Sequence, residues 1–237
     1  MKKSHIATII VFLAVIPATL VLGSRLPGRA YYVTSTLVIV ELLIPFFLAF
    51  EGRRPQAREL VLLAVMCALA VAGRVAIPVP GFKAIFAVIM IAGIAFGPES
   101  GFLVGAGSAL ASNFFYSQGP YTPWQMMAYG AGGMLAGFLF AKNLLPRKPV
   151  VMGLFGFLAV AFFVGPLLDT CSVFLVLSKI SLKGAMAFYV SGFAVNVNQA
   201  IATAAVLLLL GKPLLEKLDR VKTKYGILAV EEGSGHP

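Results

Sequence analysis

The chain has 237 residues, 59% hydrophobic and 12% charged, with a mean hydropathy of +0.94, and since soluble domains are about 25% charged a water-soluble fold is excluded. The formal charge of +10, from 19 Lys and Arg against 9 Asp and Glu, reads as loop cations beside anionic lipid rather than a nucleic-acid-binding face. The two cysteines, Cys67 and Cys171, lie inside apolar runs and make no disulfide framework.

A spanning helix needs about 20 mostly apolar residues, and charged or Pro/Gly-rich breaks divide the chain into eight such candidates. The first two cover 5–23 and 30–50, separated by a turn at 24–29 that carries Arg25, Pro27, Gly28 and Arg29. Met1-Lys2-Lys3 followed by an apolar run has the look of a signal peptide. The run is longer than the usual h-region and no A-x-A site precedes Ser24, so a retained helix is expected. After a charged linker at 51–59 come 60–77, 82–96, 101–115, 124–141, 150–177 and 182–210, and then a basic tail. Glycine and alanine become denser from Ala64 to Gly137, which suits close helix approach in lipid. The expected architecture is all-α and polytopic: a two-helix membrane extension at 1–56, a six-helix bundle at 57–217, and a polar tail at 218–237.

Assigning loops alternately to the two sides, with the N-terminus inside, puts 13 of the 19 Lys and Arg inside and 6 outside. The outer six are Arg25, Arg29, Arg74, Lys83, Lys179 and Lys183. By the positive-inside rule both termini are cytoplasmic, and an odd helix count would erase the asymmetry.

Several chemistries lack their parts. His5 and His236 stand outside every apolar run, so His-ligated haem, HExxH zinc hydrolysis and Ser-His dyads are ruled out at membrane depth. No GxxxxGK[ST] loop is present for ATP, and neither a metal site nor a cofactor is expected.

The third span sets Ala64, Ala68 and Ala72 on one helical face one turn apart, a flat strip that receives another helix, within the bundle or from a partner. The glycines at 93, 97, 101 and 105, and at 130, 133 and 137, read as packing positions around a tight turn at Pro98-Glu99. The uncharged stretch 113–125 is aromatic, amide-rich and stiffened by Pro120 and Pro123. Tyr121 and Trp124 suit an interface belt, yet with Tyr116, and beside Asn113, Gln118 and Gln125, they also suit a flat heteroaromatic or amide-bearing ligand. Asp169 lies inside a span, where a charge must face protein or water. Asn196, Asn198 and Gln199 lie deep in the last one, with 196 and 199 on a shared face. Glu41, central in the second span, has no evident cationic partner and no assigned role.

In this order and spacing the features resemble the substrate-binding S components of energy-coupling factor (ECF) vitamin transporters, over about 59–217. The family's AxxxA docking strip is matched by Ala64 and Ala68, extended by Ala72. The turn at 97–101, the stretches at 113–115 and 119–125, and the opening 191–196 of the last helix resemble its other landmarks. Ala194 stands near where a proline is often found, and the first 56 residues depart from the six-helix pattern. The resemblance implies a non-enzymatic binding subunit of the bacterial plasma membrane. It would capture a micronutrient outside and dock through the alanine strip on a transmembrane coupling protein with two cytoplasmic ATPases.

The expected ligand-binding set is Asn113, Tyr116, Gln118, Tyr121, Trp124, Gln125, Asp169, Asn196, Asn198 and Gln199. A loop poor in cations argues against a highly anionic ligand. A corrinoid such as cobalamin, with its amide rim, is the leading expectation and riboflavin the next. The alternative is an ion-coupled carrier acting alone, with Asp169 as its coupling site.

Overall fold

The computed structural model describes residues 14, 15, 18, 19, 21, 22, 30–52, 56–76, 82–177 and 179–226. Most of the expected first span and the turn at 24–29 lie outside them. The described residues are all-helical. The helices are α1 (Ala30–Gly52), α2 (Ala57–Val75), α3 (Ile85–Phe96), α4 (Pro98–Tyr116) and α5 (Thr122–Ala141). Two long rods follow, α6 (Pro149–Val176) and α7 (Leu182–Tyr225), the two described helices long and apolar enough to cross a bilayer on length and composition.

Each rod contains a π-helical stretch, Val160–Val164 in α6 and Leu207–Gly211 in α7. A proline follows closely in both cases, Pro166 and Pro213. A proline supplies no N–H and crowds the carbonyl four residues back, and widening the preceding turn relieves that crowding without ending the helix.

At the centre is α3. It has 12 residues, about 18 Å of helix, too short to cross a bilayer core of about 30 Å, so the stretch 82–96, expected as a spanning helix, is instead a buried central one. It is apolar all round, and Phe86, Ile89, Met90, Ile91 and Ile94 are all fully buried, as expected of a helix enclosed by others. Its C-terminal carbonyls are met by cations from elsewhere: Arg147 donates to Ile94 O at 3.1 Å, and the Lys222 ammonium donates to Ala95 O. Asp219 holds Arg147 from the other side at 3.4 Å. Two cations on the orphan carbonyls of a buried helix end also complement its dipole.

Between α3 and α4 the chain reverses on Gly97, whose φ of +95° is in the region glycine alone enters freely. Helices α3, α4 and α5 then meet backbone to backbone. A Cβ on Gly93 would stand 2.1 Å from Gly133 O, and one on Gly101 2.4 Å from the same oxygen. The glycine run is therefore a packing device, and no phosphate loop.

Helix α1 is seated on α4, α5 and α6. Ile39 is buried with Trp124 and Cys171, Leu43 with Phe102 and Ala106, and Thr36 donates to Pro120 O at 3.4 Å. Among the described residues Glu41 finds a hydroxyl and no cation, Oε1 accepting from Thr19. Because the sequence has one tryptophan, Trp124 reports on this packing. Ile39→Ala is expected to open a cavity beside the indole and shift its emission to the red; an unshifted spectrum would show that α1 does not cover it.

Candidate substrate-binding site

At one end of the bundle, where α2, α4 and α6 finish and α5 begins, lies a cavity of about 440 Å³, within the size range of small-molecule sites. Arg74 enters it from α2, Asn113 and Tyr116 from α4, and Tyr121 and Gln125 from the start of α5, while α6 forms the opposite wall with Leu168, Cys171, Ser172 and Leu175. One wall is thus polar and aromatic and the other mostly aliphatic.

The polar wall is organised by Asn113, which is fully buried. Its Nδ2 donates to Thr122 Oγ1 at 3.1 Å and to Gln125 Oε1 at 2.8 Å, and its Oδ1 accepts from Arg74 Nη1 at 3.1 Å. The amide is spent on protein partners, so Asn113 fixes Arg74 and Gln125 in place. Ser112 accepts a second bond from the same guanidinium nitrogen. Arg74 lies over the Tyr116 ring at 4.8 Å and the Tyr129 ring at 5.6 Å, contacts that favour a cation. Tyr116 in turn donates to Arg74 O at 3.1 Å.

The α4–α5 turn is held by its own side chains. Ser117 adopts φ +72°, and its carbonyl accepts from Tyr121 Oη at 2.7 Å. Gln118 donates to Leu110 O at 3.0 Å and accepts from Thr122 at 3.0 Å, while Gly119 N–H donates to Thr122 Oγ1. Gln118 therefore ties the turn to α4 and is absent from the cavity lining. Trp124 lies behind the wall, 8% exposed, stacked on Phe174 with ring centroids 5.6 Å apart. Its indole N–H has no partner among the described residues.

Of the expected binding residues, Asn113, Tyr116, Tyr121 and Gln125 line the cavity. Asp169 and Asn196 instead join α6 to α7, Asn196 Nδ2 donating to Asp169 Oδ2 at 2.7 Å. Each side chain lies over a glycine of the opposite helix: a Cβ on Gly192 would stand 2.2 Å from Asp169 Oδ1, and one on Gly165 2.4 Å from Asn196 Cγ. One turn separates glycine from polar residue on both helices, so the notch is reciprocal. Beside it Thr170 donates to Pro166 O at 2.7 Å and accepts from Tyr189, 2.8 Å away. Asn198 is exposed, Gln199 partly so, and neither lines the cavity. Asp169→Ala is expected to cost about 1–3 kcal/mol by leaving the Asn196 amide unpaired, with a coupling of about 0.6–2 kcal/mol to Asn196→Ala. Thermal unfolding of the two singles and the double in detergent measures it; additive losses would deny the pair.

Sequence reading overlooked Arg74 and the α6 wall. Arg74 had a signal: a cation inside the last turn of an apolar helix, on the same side as the amide-rich stretch.

A second concavity lies on the outer surface of α2. Ala64, Ala68 and Ala72 are exposed and form the floor of a groove with Gly107, Ala111 and Phe115 of α4. Helix α1 packs on other α4 residues, Phe102 and Ala106, and leaves the strip open.

In comparison with known proteins, the family model of the ECF-type riboflavin transporter, S component, matches residues 55–217. No curated protein and no solved structure matches the chain. The match runs through α2 to α6 and most of α7 and includes both concavities, and on it the chain belongs to the S-component family of ECF-type riboflavin transporters.

Proposed function

We propose that the chain is the capture subunit of an ECF importer and that its cargo is riboflavin or a close flavin. The observation that carries this reading is that every residue lining the 440 Å³ cavity falls inside the family-matched segment. Two tyrosine rings and an aliphatic wall suit a flat ring system, and Arg74 and Gln125 suit its carbonyl edge. A corrinoid is several times larger than a flavin, and the description of the matched family names riboflavin, so neither argument favours the corrinoid expectation.

Within this reading Asn113, Tyr116, Tyr121 and Gln125 form or orient the ligand surface, with Gln118 and Trp124 bracing it. Asp169 and Asn196 keep α6 on α7, and Asn198 and Gln199 have no part in the cavity. The groove over Ala64, Ala68 and Ala72 takes the coupling protein, and ATP is hydrolysed on partner ATPases. The bundle at 57–217 spans the plasma membrane of a bacterium with 1–56 as an accessory and 218–237 as a tail. Both termini face the cytoplasm on the distribution of Lys and Arg.

Flavin uptake into liposomes tests the reading. With the coupling protein and ATPases present, uptake is expected to require ATP, and the chain alone is expected to give none. Uptake by the chain alone, driven by an ion gradient, would favour the carrier alternative, which the engagement of Asp169 by Asn196 does not suggest.

A further inference from the structure

Arg74 carries the one charge among the residues lining the cavity, and it forms no ion pair among the described residues. A guanidinium has five N–H donors in a fixed fork. Both hydrogens of Nη1 are taken, by Ser112 and by Asn113. The hydrogens on Nη2 and Nε have no protein acceptor among the described residues, although the group is held from below by the Tyr116 ring and from the side by Asn113. Arg147, by contrast, meets the carboxylate of Asp219 as well as a carbonyl closing α3, and Lys222 donates to another of those carbonyls. A positive group fixed in a cavity, with donors left over and no counter-charge among the described residues, is built to meet acceptors on a ligand.

We propose that Arg74 is the specificity-determining residue of the cavity, pairing its remaining N–H donors with a ligand edge that carries two adjacent acceptor atoms. Resting on the flavin reading, that edge is N1 and the C2 carbonyl oxygen of the isoalloxazine ring, where a nearby positive charge also stabilises electron density on the pyrimidine ring. The same charge disfavours cationic ligands, for which nothing in the lining offers compensation. Gln125, its Oε1 occupied by Asn113, keeps amide N–H donors for a further carbonyl.

Calorimetric titration of the full chain in detergent tests this with two ligands, riboflavin and 1-deazariboflavin, in which a C–H replaces the N1 acceptor. In the wild type the deaza analogue is expected to bind about tenfold more weakly. Arg74→Gln is expected to weaken riboflavin about 10- to 100-fold, the range for charge-assisted hydrogen bonds, and to bind the two ligands alike. Arg74→Lys keeps the charge without the fork and is expected to fall between. It decides the matter if Arg74→Gln is not monodisperse, because it too must narrow the gap between ligands. Equal losses for both ligands, or riboflavin affinity unchanged in the variants, would overturn the assignment while sparing the flavin reading. A folded wild type that binds neither flavin would overturn both.

Discussion

Ala68→Trp is expected to bring uptake in the reconstituted transporter to background while riboflavin affinity of the purified chain stays at the wild-type value. The strip of Ala64, Ala68 and Ala72 is exposed and bordered by Gly107, Ala111 and Phe115. Helix association in lipid depends on close backbone approach over small residues, and an indole on the floor of the groove prevents it. The ligand cavity draws from α2 the single residue Arg74, on a different face from the strip, so the separation of the two effects is a geometric expectation. Uptake and detergent titration of the same preparation measure it. Loss of binding together with transport would mean that the strip packs inside the bundle, and unchanged transport would remove it from the docking surface.

Gly133→Ala is expected to destabilise the bundle by about 1–3 kcal/mol, the cost of overpacking, with larger side chains at that position preventing folding. The added Cβ would stand 2.3 Å from Gly101 O. That neighbour is backbone, so relief requires moving α4 away from α5 and breaking the contact both helices make with α3. Gly107→Ala is the matched control, since its Cβ meets only the Cys67 thiol at 3.2 Å, the end of a side chain that can yield. Thermal unfolding in detergent compares the two. Equal stability of Gly133→Ala and the wild type would show that the three helices do not meet at this junction.

Charged and Pro/Gly-rich breaks interrupt the apolar runs abruptly and mark several elements, but the last span, expected to end at 210, continues as helix through the basic stretch to Tyr225, since polar, basic residues are good helix formers and do not stop a helix. The expected spans at 60–77, 101–115 and 124–141 correspond to Ala57–Val75, Pro98–Tyr116 and Thr122–Ala141. Glycine spacing marked packing positions, since small residues at one-turn intervals suit close helix approach in lipid, but that they join α3, α4 and α5 in one seam came from the structure. The polar residues were harder to place, because a side chain's type does not reveal which partner it meets. Asn113 is a buried organiser with its amide fully engaged, and Asp169 and Asn196, read as cavity groups, bond to each other across the helix pair. Their reciprocal glycines lie 27 residues apart in sequence (165 and 192), and only the three-dimensional pairing of α6 with α7 brings them together. The π-helical turns had a local cue in Pro166 and Pro213, but proline alone does not tell a widened turn from a kink. The aliphatic wall had no cue, since Leu168, Ser172 and Leu175 look like any lipid-facing stretch.

Without its partners, this chain is expected to capture a flavin in the cavity around Arg74 and Gln125. The most direct measurement is calorimetric titration of the purified full chain with riboflavin and, separately, with cobalamin, with the emission of Trp124 followed in parallel. One-to-one riboflavin binding that changes the emission of this single tryptophan, with no heat from cobalamin, is the predicted result. A folded chain that binds cobalamin, or that binds no riboflavin, would contradict it.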